Sequence, residues 1–213
     1  MAINLQKGQT IDLRKNERGE LFDLSEVTIG LGWDVRQEKS GFLGKLFGKG
    51  KEEEYDLDAI AFLLGENGKV NNRGDDRLIG GDIIFFNSLS HSSGHIRLTG
   101  DNRTGAGDGD DEQIIVKLDS LDQRYQRILF VVSIYNGAKN KQDFSMLDNA
   151  FIRAVDAGGK EIAKFLLSDN SSLNGMCSMI FAEVYRSGSH WKFRAIGEPK
   201  RSDSFVEILK IYA

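Results

Sequence analysis

The sequence predicts an all-β protein, an antiparallel β-sandwich with a few short helices. Three observations carry that expectation. Roughly nine or ten short apolar runs recur along the chain, many alternating with period two and separated by Gly, Asn, Asp or Ser. The 213 residues hold 24 glycines and one proline, Pro199, which suits many tight turns rather than a Pro-rich linker. Stretches with helical periodicity are few, as expected for two packed sheets. A chain that is 40% hydrophobic at this length can bury a full core, and one domain over residues 1–213 is the expected organisation.

In chain order, residues 9–13 and 27–33 read as strands joined into a first hairpin across a charged turn containing Asn16 and Gly19. Residues 39–51 then mix Phe42, Leu43, Leu46 and Phe47 with four lysines and four glycines, and Glu52, Glu53 and Glu54 follow. This composition predicts a flexible loop over about residues 36–54. Its aromatic and lysine mixture also suits the surface of an anionic membrane, the alternatives being a loop folded back on the sandwich or a protein-docking loop.

Residues 55–64 alternate so that Asp56 and Asp58 share a face with Ile60, Phe62 and Leu64. Same-face neighbours lie roughly 7 Å apart, so both acids can reach one metal cluster; an exposed strand end is the alternative. Residues 82–86, 95–99 and 112–118 are further strands. Residues 127–135 are apolar on both faces and predict a central buried strand. Residues 151–156 and 161–167 form a hairpin around Gly158 and Gly159. In residues 177–185 strict alternation puts Glu183 on one face with Cys177, Met179, Phe181 and Tyr185, where a carboxylate needs a cation or an exposed strand end. Residues 191–196 are a last strand, and 202–212 a short helix capped by Ser202 or Asp203.

The segment with the densest chemistry is 100–112, which carries five carboxylates (Asp101, Asp108, Asp110, Asp111 and Glu112) and four glycines beside one cation, Arg103. Acids at this density stay fully solvated or meet a cation, and glycines let the backbone turn its oxygens inward. Many flexible oxygens favour Ca²⁺ over Mg²⁺. The alternative is a solvated acidic loop. The segment is not an EF-hand, because the third, fifth and sixth positions counted from Asp101 are Arg103, Gly105 and Ala106.

Other chemistries find little support. No Gly-Lys-Ser/Thr phosphate loop, GxGxxG spacing or GxSxG elbow is present. His91 and His95 are four apart, but Ser92, Ser93 and Gly94 between them read as a turn rather than the helix a zinc pair wants. The single cysteine, Cys177, allows no internal disulfide and sits in an apolar strand as an inert core thiol. The N-terminal residues show no apolar signal region, so a cytoplasmic protein is expected, peripheral at the inner membrane if the 39–51 loop docks there. A pI near 5.5 argues against nucleic acid as a partner.

Several motifs together resemble one family. Asp-Leu-Asp-Ala at 56–59, Gly-Asp-Asn-Arg-Thr-Gly at 100–105 followed by Gly-Asp-Asp-Glu at 109–112, Ala-Phe-Ile-Arg at 150–153, and Glu-Val-Tyr-Arg with Trp-Lys-Phe-Arg-Ala within 183–195 are similar to the TerD-type tellurium resistance and stress proteins of bacteria. The match runs in order over nearly the whole chain. It implies a β-sandwich that binds two Ca²⁺ ions and belongs to systems resisting tellurite, some phages and pore-forming colicins. It also implies a set of metal residues: Asp56, Asp58, Asp101, Asn102, Asp108, Asp110, Asp111 and Glu112, with Asp169 and Glu183 matching acids further along. The chain departs from the family where Ser168-Asp169-Asn170 replaces a common Glu-Asp pair, and where Gly197-Glu198-Pro199 replaces a common Gly-Gln.

The resulting expectation is a calcium-binding interaction or scaffolding module, not an enzyme, whose partners are calcium and other proteins of the stress or tellurite-resistance system. A detoxifying reductase would need an electron carrier, and Cys177 stands alone without a flavin or nicotinamide signature. The alternative is a cyclic-nucleotide binder, as a slime-mould relative is described, with Arg103 or Arg153 on the phosphate.

Overall fold

The computed structural model describes residues 3–16, 18–35, 55–99, 109–167 and 171–213. In order they form β1 (Ile3–Leu5), β2 (Thr10–Asp12), β3 (Val27–Val35), β4 (Leu57–Leu64), β5 (Ile83–Ile84), β6 (Ile96–Thr99), β7 (Glu112–Val116), β8 (Arg127–Ile134), the one-turn helix α1 (Gly137–Asn140), β9 (Leu147–Val155), β10 (Glu161–Leu166), β11 (Ser178–Ser187), β12 (His190–Lys200) and helix α2 (Phe205–Tyr212). The strands make two six-stranded sheets, ordered β1-β10-β9-β3-β7-β6 and β2-β12-β11-β8-β4-β5. The predicted loop at 39–51 lies outside the described residues.

Alternation builds the core between the sheets. Val27, Ile29, Leu31 and Trp33 of β3 and Ile114 and Val116 of β7 face Leu57, Ala59, Ala61 and Leu63 of β4 and Ile128, Phe130, Val132 and Ile134 of β8. Strand β8 is central, between β4 and β11, as its two apolar faces predict. Its second face, with Leu129 and Val131, joins Ile60, Phe62 and Leu64 under Phe205, Ile208 and Leu209 of α2. Each of those helix side chains is worth about 2 kcal/mol of apolar burial. The face carrying Asp56 and Asp58 is therefore the outer face of this sheet, roofed by α2 further along.

Three expectations are corrected. β2 and β3 do not form a hairpin: β2 pairs with β12 in one sheet and β3 with β7 and β9 in the other. The antiparallel β-sandwich expected from the sequence is the observed fold, to which β1, unforeseen in the sequence, adds one parallel pairing with β10. The pairing of β11 shifts register between Ile180 and Ala182, so Phe181, Ala182 and Val184 all join the core and Glu183 faces the other way. Helix α2 starts at Phe205 after Ser204, which makes no side-chain cap; Ser202 Oγ instead accepts from the Ser204 N–H. The hairpin around Gly158 and Gly159 forms as expected between β9 and β10.

Candidate functional site

Strands β6 and β7 pair from Ile96 with Val116 to Thr99 with Gln113, so the acidic segment is the connection of a hairpin at one end of the sandwich. Asp101, Asn102, Arg103 and Asp108 lie outside the described residues, as does Asp169. The three acids that lead into β7 are described, and each meets a different element. Gly109, at φ +117°, makes the entry turn that an L side chain would strain.

Asp110 lies across the middle of β3. Its Oδ1 accepts from Nε of Arg153 at 2.7 Å and its Oδ2 from Nε2 of Gln113 at 3.1 Å. The carboxylate rests on Gly30, where a Cβ would come within 2.2 Å of it. Arg153 also donates to Glu161 at 3.0 Å. The Asp110 carboxylate holds the guanidinium above its ordinary pKa against the opposing effect of burial, with Glu161 adding to the rise. Arg153 thus has two carboxylate partners of its own, and Asp110 ties the acidic segment to β9.

Asp111 is buried and accepts from the Trp33 N–H at 2.9 Å, while its own N–H donates to the Leu31 carbonyl. Glu112, also buried, crosses between the sheets: its Oε2 accepts from the Ala59 N–H of β4. β5 covers β4 only at Ala61 and Phe62, so this N–H lies past the end of β5 and a side chain satisfies it. Glu112 therefore abuts the strand that carries Asp56 and Asp58, both half-buried. At the same end, Asp34 and Asp148 stand directly opposite on β3 and β9, with Asn149 donating to Asp34 at 2.8 Å. Among the described residues alone, no three Asp, Glu, His or Cys side chains are grouped as a metal would require. The described acids at this end offer carboxylate oxygens, hard donors of the kind that suit Ca²⁺.

Glu183 belongs elsewhere. Pairing sets Asp58 opposite Ser133 but Glu183 opposite Leu129, further along β8. Its buried carboxylate is gripped by Arg194 at 2.6 Å and Arg127 at 3.2 Å, the first of the two alternatives expected for it, a cation partner rather than an exposed strand end. Cys177 is buried, and that burial, helped by Asp203 and Asp143, pushes the thiol pKa up, as an inert thiol requires. Among the described residues, His91 and His95 belong to no group of three or more His, Cys, Asp or Glu side chains that could hold a metal ion.

Instead, His91 is part of a cluster that sequence spacing could not reveal. Asp82, before β5, accepts from Tyr125 O–H at 2.6 Å and from the Asn72 N–H at 2.9 Å, and lies 3.2 Å from Nε2 of His91. Burial would raise the Asp82 pKa, but the hydrogen bonds from His91, Tyr125 and Asn72 outweigh it and hold it below the ordinary value. Burial first, and Asp82 second, push the Tyr125 phenol well above its usual range. The only advance signal was polar residues bordering apolar runs at three distant points.

The chain matches the TerD domain family model over residues 1–212. It is 59% identical over 217 residues to the tellurium resistance protein TerX of Serratia marcescens, with 100% of both chains covered. It is 43% identical to the stress response protein SCP2 of Bacillus subtilis, again over 100% of both, and 40% identical to TerD of Serratia marcescens over 93% of this chain and 91% of that one. The crystal structure of a TerD homologue from Streptomyces coelicolor superposes with a TM-score of 0.61 at 20% identity, covering 89% of this chain and 98% of the other, which speaks to the fold.

Proposed function

We propose, from the premise that the chain belongs to the TerD family of tellurium resistance and stress proteins, that it is a calcium-binding interaction module of such a system. The observation that carries this reading is the contact between Glu112 and the Ala59 N–H, which joins the acidic segment of one sheet to the Asp56 and Asp58 strand of the other. Asp56, Asp58, Asp111 and Glu112 would hold the ions together with Asp101, Asn102 and Asp108. Bound Ca²⁺ would supply positive charge that lets these carboxylates approach. Asp110 serves as the anchor to Arg153, and Glu183 as the partner of Arg127 and Arg194, rather than as ligands. The partners proposed for the neutralised surface are other proteins of the same stress system.

Thermal melts with calcium and with chelator test the reading. Calcium at ~100 times its dissociation constant should add roughly 2.7 kcal/mol and raise the melting point by several degrees. Asp58→Asn should remove most of that increment and leave the melt in chelator in place, whereas Asp110→Asn should lower both. Identical melts of the parent chain with and without calcium would end the proposal. Calorimetric titration with Ca²⁺, Mg²⁺ and cyclic AMP, with Trp33 emission followed in parallel, separates a calcium module from a nucleotide binder.

A further inference from the structure

The turn after β5 holds a hydrogen-bonded relay that the calcium reading does not use. Ser93 Oγ lies 2.8 Å from Nδ1 of His91, and Nε2 of the same ring lies 3.2 Å from Asp82 Oδ1. The tautomer follows from the backbone. The Ser93 N–H also donates to Nδ1 at 3.1 Å, so Nδ1 must be the lone-pair nitrogen and the ring proton sits on Nε2, facing Asp82. The His95 N–H donates to Ser93 Oγ at 3.2 Å, which leaves the hydroxyl hydrogen free to point at Nδ1. Asp82 is fixed in turn by Tyr125 and the Asn72 N–H, and the Tyr125 oxygen lies 3.2 Å from Nε2.

Burial grades along this relay. Asp82, His91 and Tyr125 are 3%, 5% and 1% exposed, while Ser93 is exposed on the turn. A buried carboxylate orienting a buried imidazole, whose Nδ1 lone pair faces an exposed hydroxyl as well as the Ser93 N–H, is an arrangement that raises a hydroxyl's nucleophilicity by general base catalysis. Asp82, His91 and Tyr125 of this relay also line a polar cleft of about 270 Å³, together with Asn71, Asn72, Ser92 and Arg124, while Ser93 stands outside its walls on the turn. The Arg124 guanidinium, 4.8 Å from the Tyr125 ring centroid, gives the rim a positive charge.

The geometry points to Ser93 as an activated acceptor hydroxyl, a covalent modification site for acyl groups delivered as activated esters. In the transfer, Ser93 Oγ bonds to the carbonyl carbon and the bond from that carbon to the leaving oxygen or sulfur breaks. The hydroxyl proton passes to His91 Nδ1 and then to the departing group, so the products are an O-acyl serine and the free alcohol or thiol. The relay supplies base strength, so the donors it serves are those with a good leaving group. This acceptor role is independent of calcium.

The test is to treat the full-length chain with 4-nitrophenyl acetate, follow release of 4-nitrophenolate, and locate the acetyl group by peptide mass mapping. The expected result is acetylation at Ser93, abolished in Ser93→Ala. In His91→Gln and Asp82→Asn the rate should fall on the order of 100-fold, the range that a general base contributes. Ser93→Ala, at an exposed position, keeps the test valid if the two buried variants fail to fold. Acetyl groups confined to lysines or tyrosines, or Ser93 labelling at the parent rate in a folded His91→Gln, would overturn the proposal and leave Ser93 as a cap of the turn.

Discussion

At the scale of single residues, the tightest constraint is the glycine under a carboxylate. A methyl group at position 30 would come within 2.2 Å of the Asp110 carboxylate, which is held on its other side by Arg153. Gly30→Ala is therefore expected to destabilise the protein by about 2 kcal/mol, the scale of overpacking, as read by urea denaturation. Asp82 and Tyr125 set the pH limits of their cluster. The Asp82 pKa is lowered in the fold, so its contribution is complete above the unfolded value of about 3.9 and is lost as pH falls through the folded one. The Tyr125 pKa is raised, so its contribution is complete below about 10 and is lost as pH climbs past that. Stability measured against pH should decline at both extremes, and in Asp82→Asn the acid-side loss should shrink.

At the scale of elements, the β8 sequence already stated that both its faces are covered, and the structure supplies the covers: the opposite sheet on one side and α2 on the other. Phe205 packs within 6.3 Å of the Phe62 ring and 5.2 Å of the Phe85 ring. Phe205→Ala should cost about 3 kcal/mol and expose the outer face of the sheet, with dye binding to apolar surface as an independent readout. Some features were legible because they depend on local pattern: the shared face of Asp56 and Asp58, the hairpin that carries the acidic segment, and the β9-β10 turn. The shifted register in β11 was not legible, since alternation assumes an unbroken pleat and nothing in Ile180-Phe181-Ala182 announces an extra residue. The relation of Asp82, His91 and Tyr125 was equally hidden, because only the packing of β5 and β8 around β4 brings those positions together.

At the scale of the whole molecule, one carboxylate bridges the two sheets at the acidic end. Removing it in Glu112→Ala would leave the buried Ala59 N–H without its acceptor, a loss of about 1–3 kcal/mol that outweighs the relief of repulsion among neighbouring acids. Chemical denaturation in chelator should show that loss, which separates the clamp from any contribution of calcium. The family was legible because its motifs are short contiguous strings, such as 56–59, 100–112 and those within 183–195, whereas the division of labour among their acids required the fold: Asp110 and Glu183 turn to arginines, Glu112 to a backbone N–H.

The three-residue strands β1 and β2 carry a consequence for how the protein is made. Ile3 is registered with Ala163 and Ile11 with Phe193, so one early strand completes the edge of each sheet using partners synthesised near the end. A ribosome releasing this chain must hold those first residues unpaired until β10 and then β12 have emerged. Such long-range closures place the fold among slow-folding topologies. During that interval the unpaired β1 and β2 are open templates for a neighbouring nascent chain, which makes crowded synthesis an aggregation hazard for this molecule.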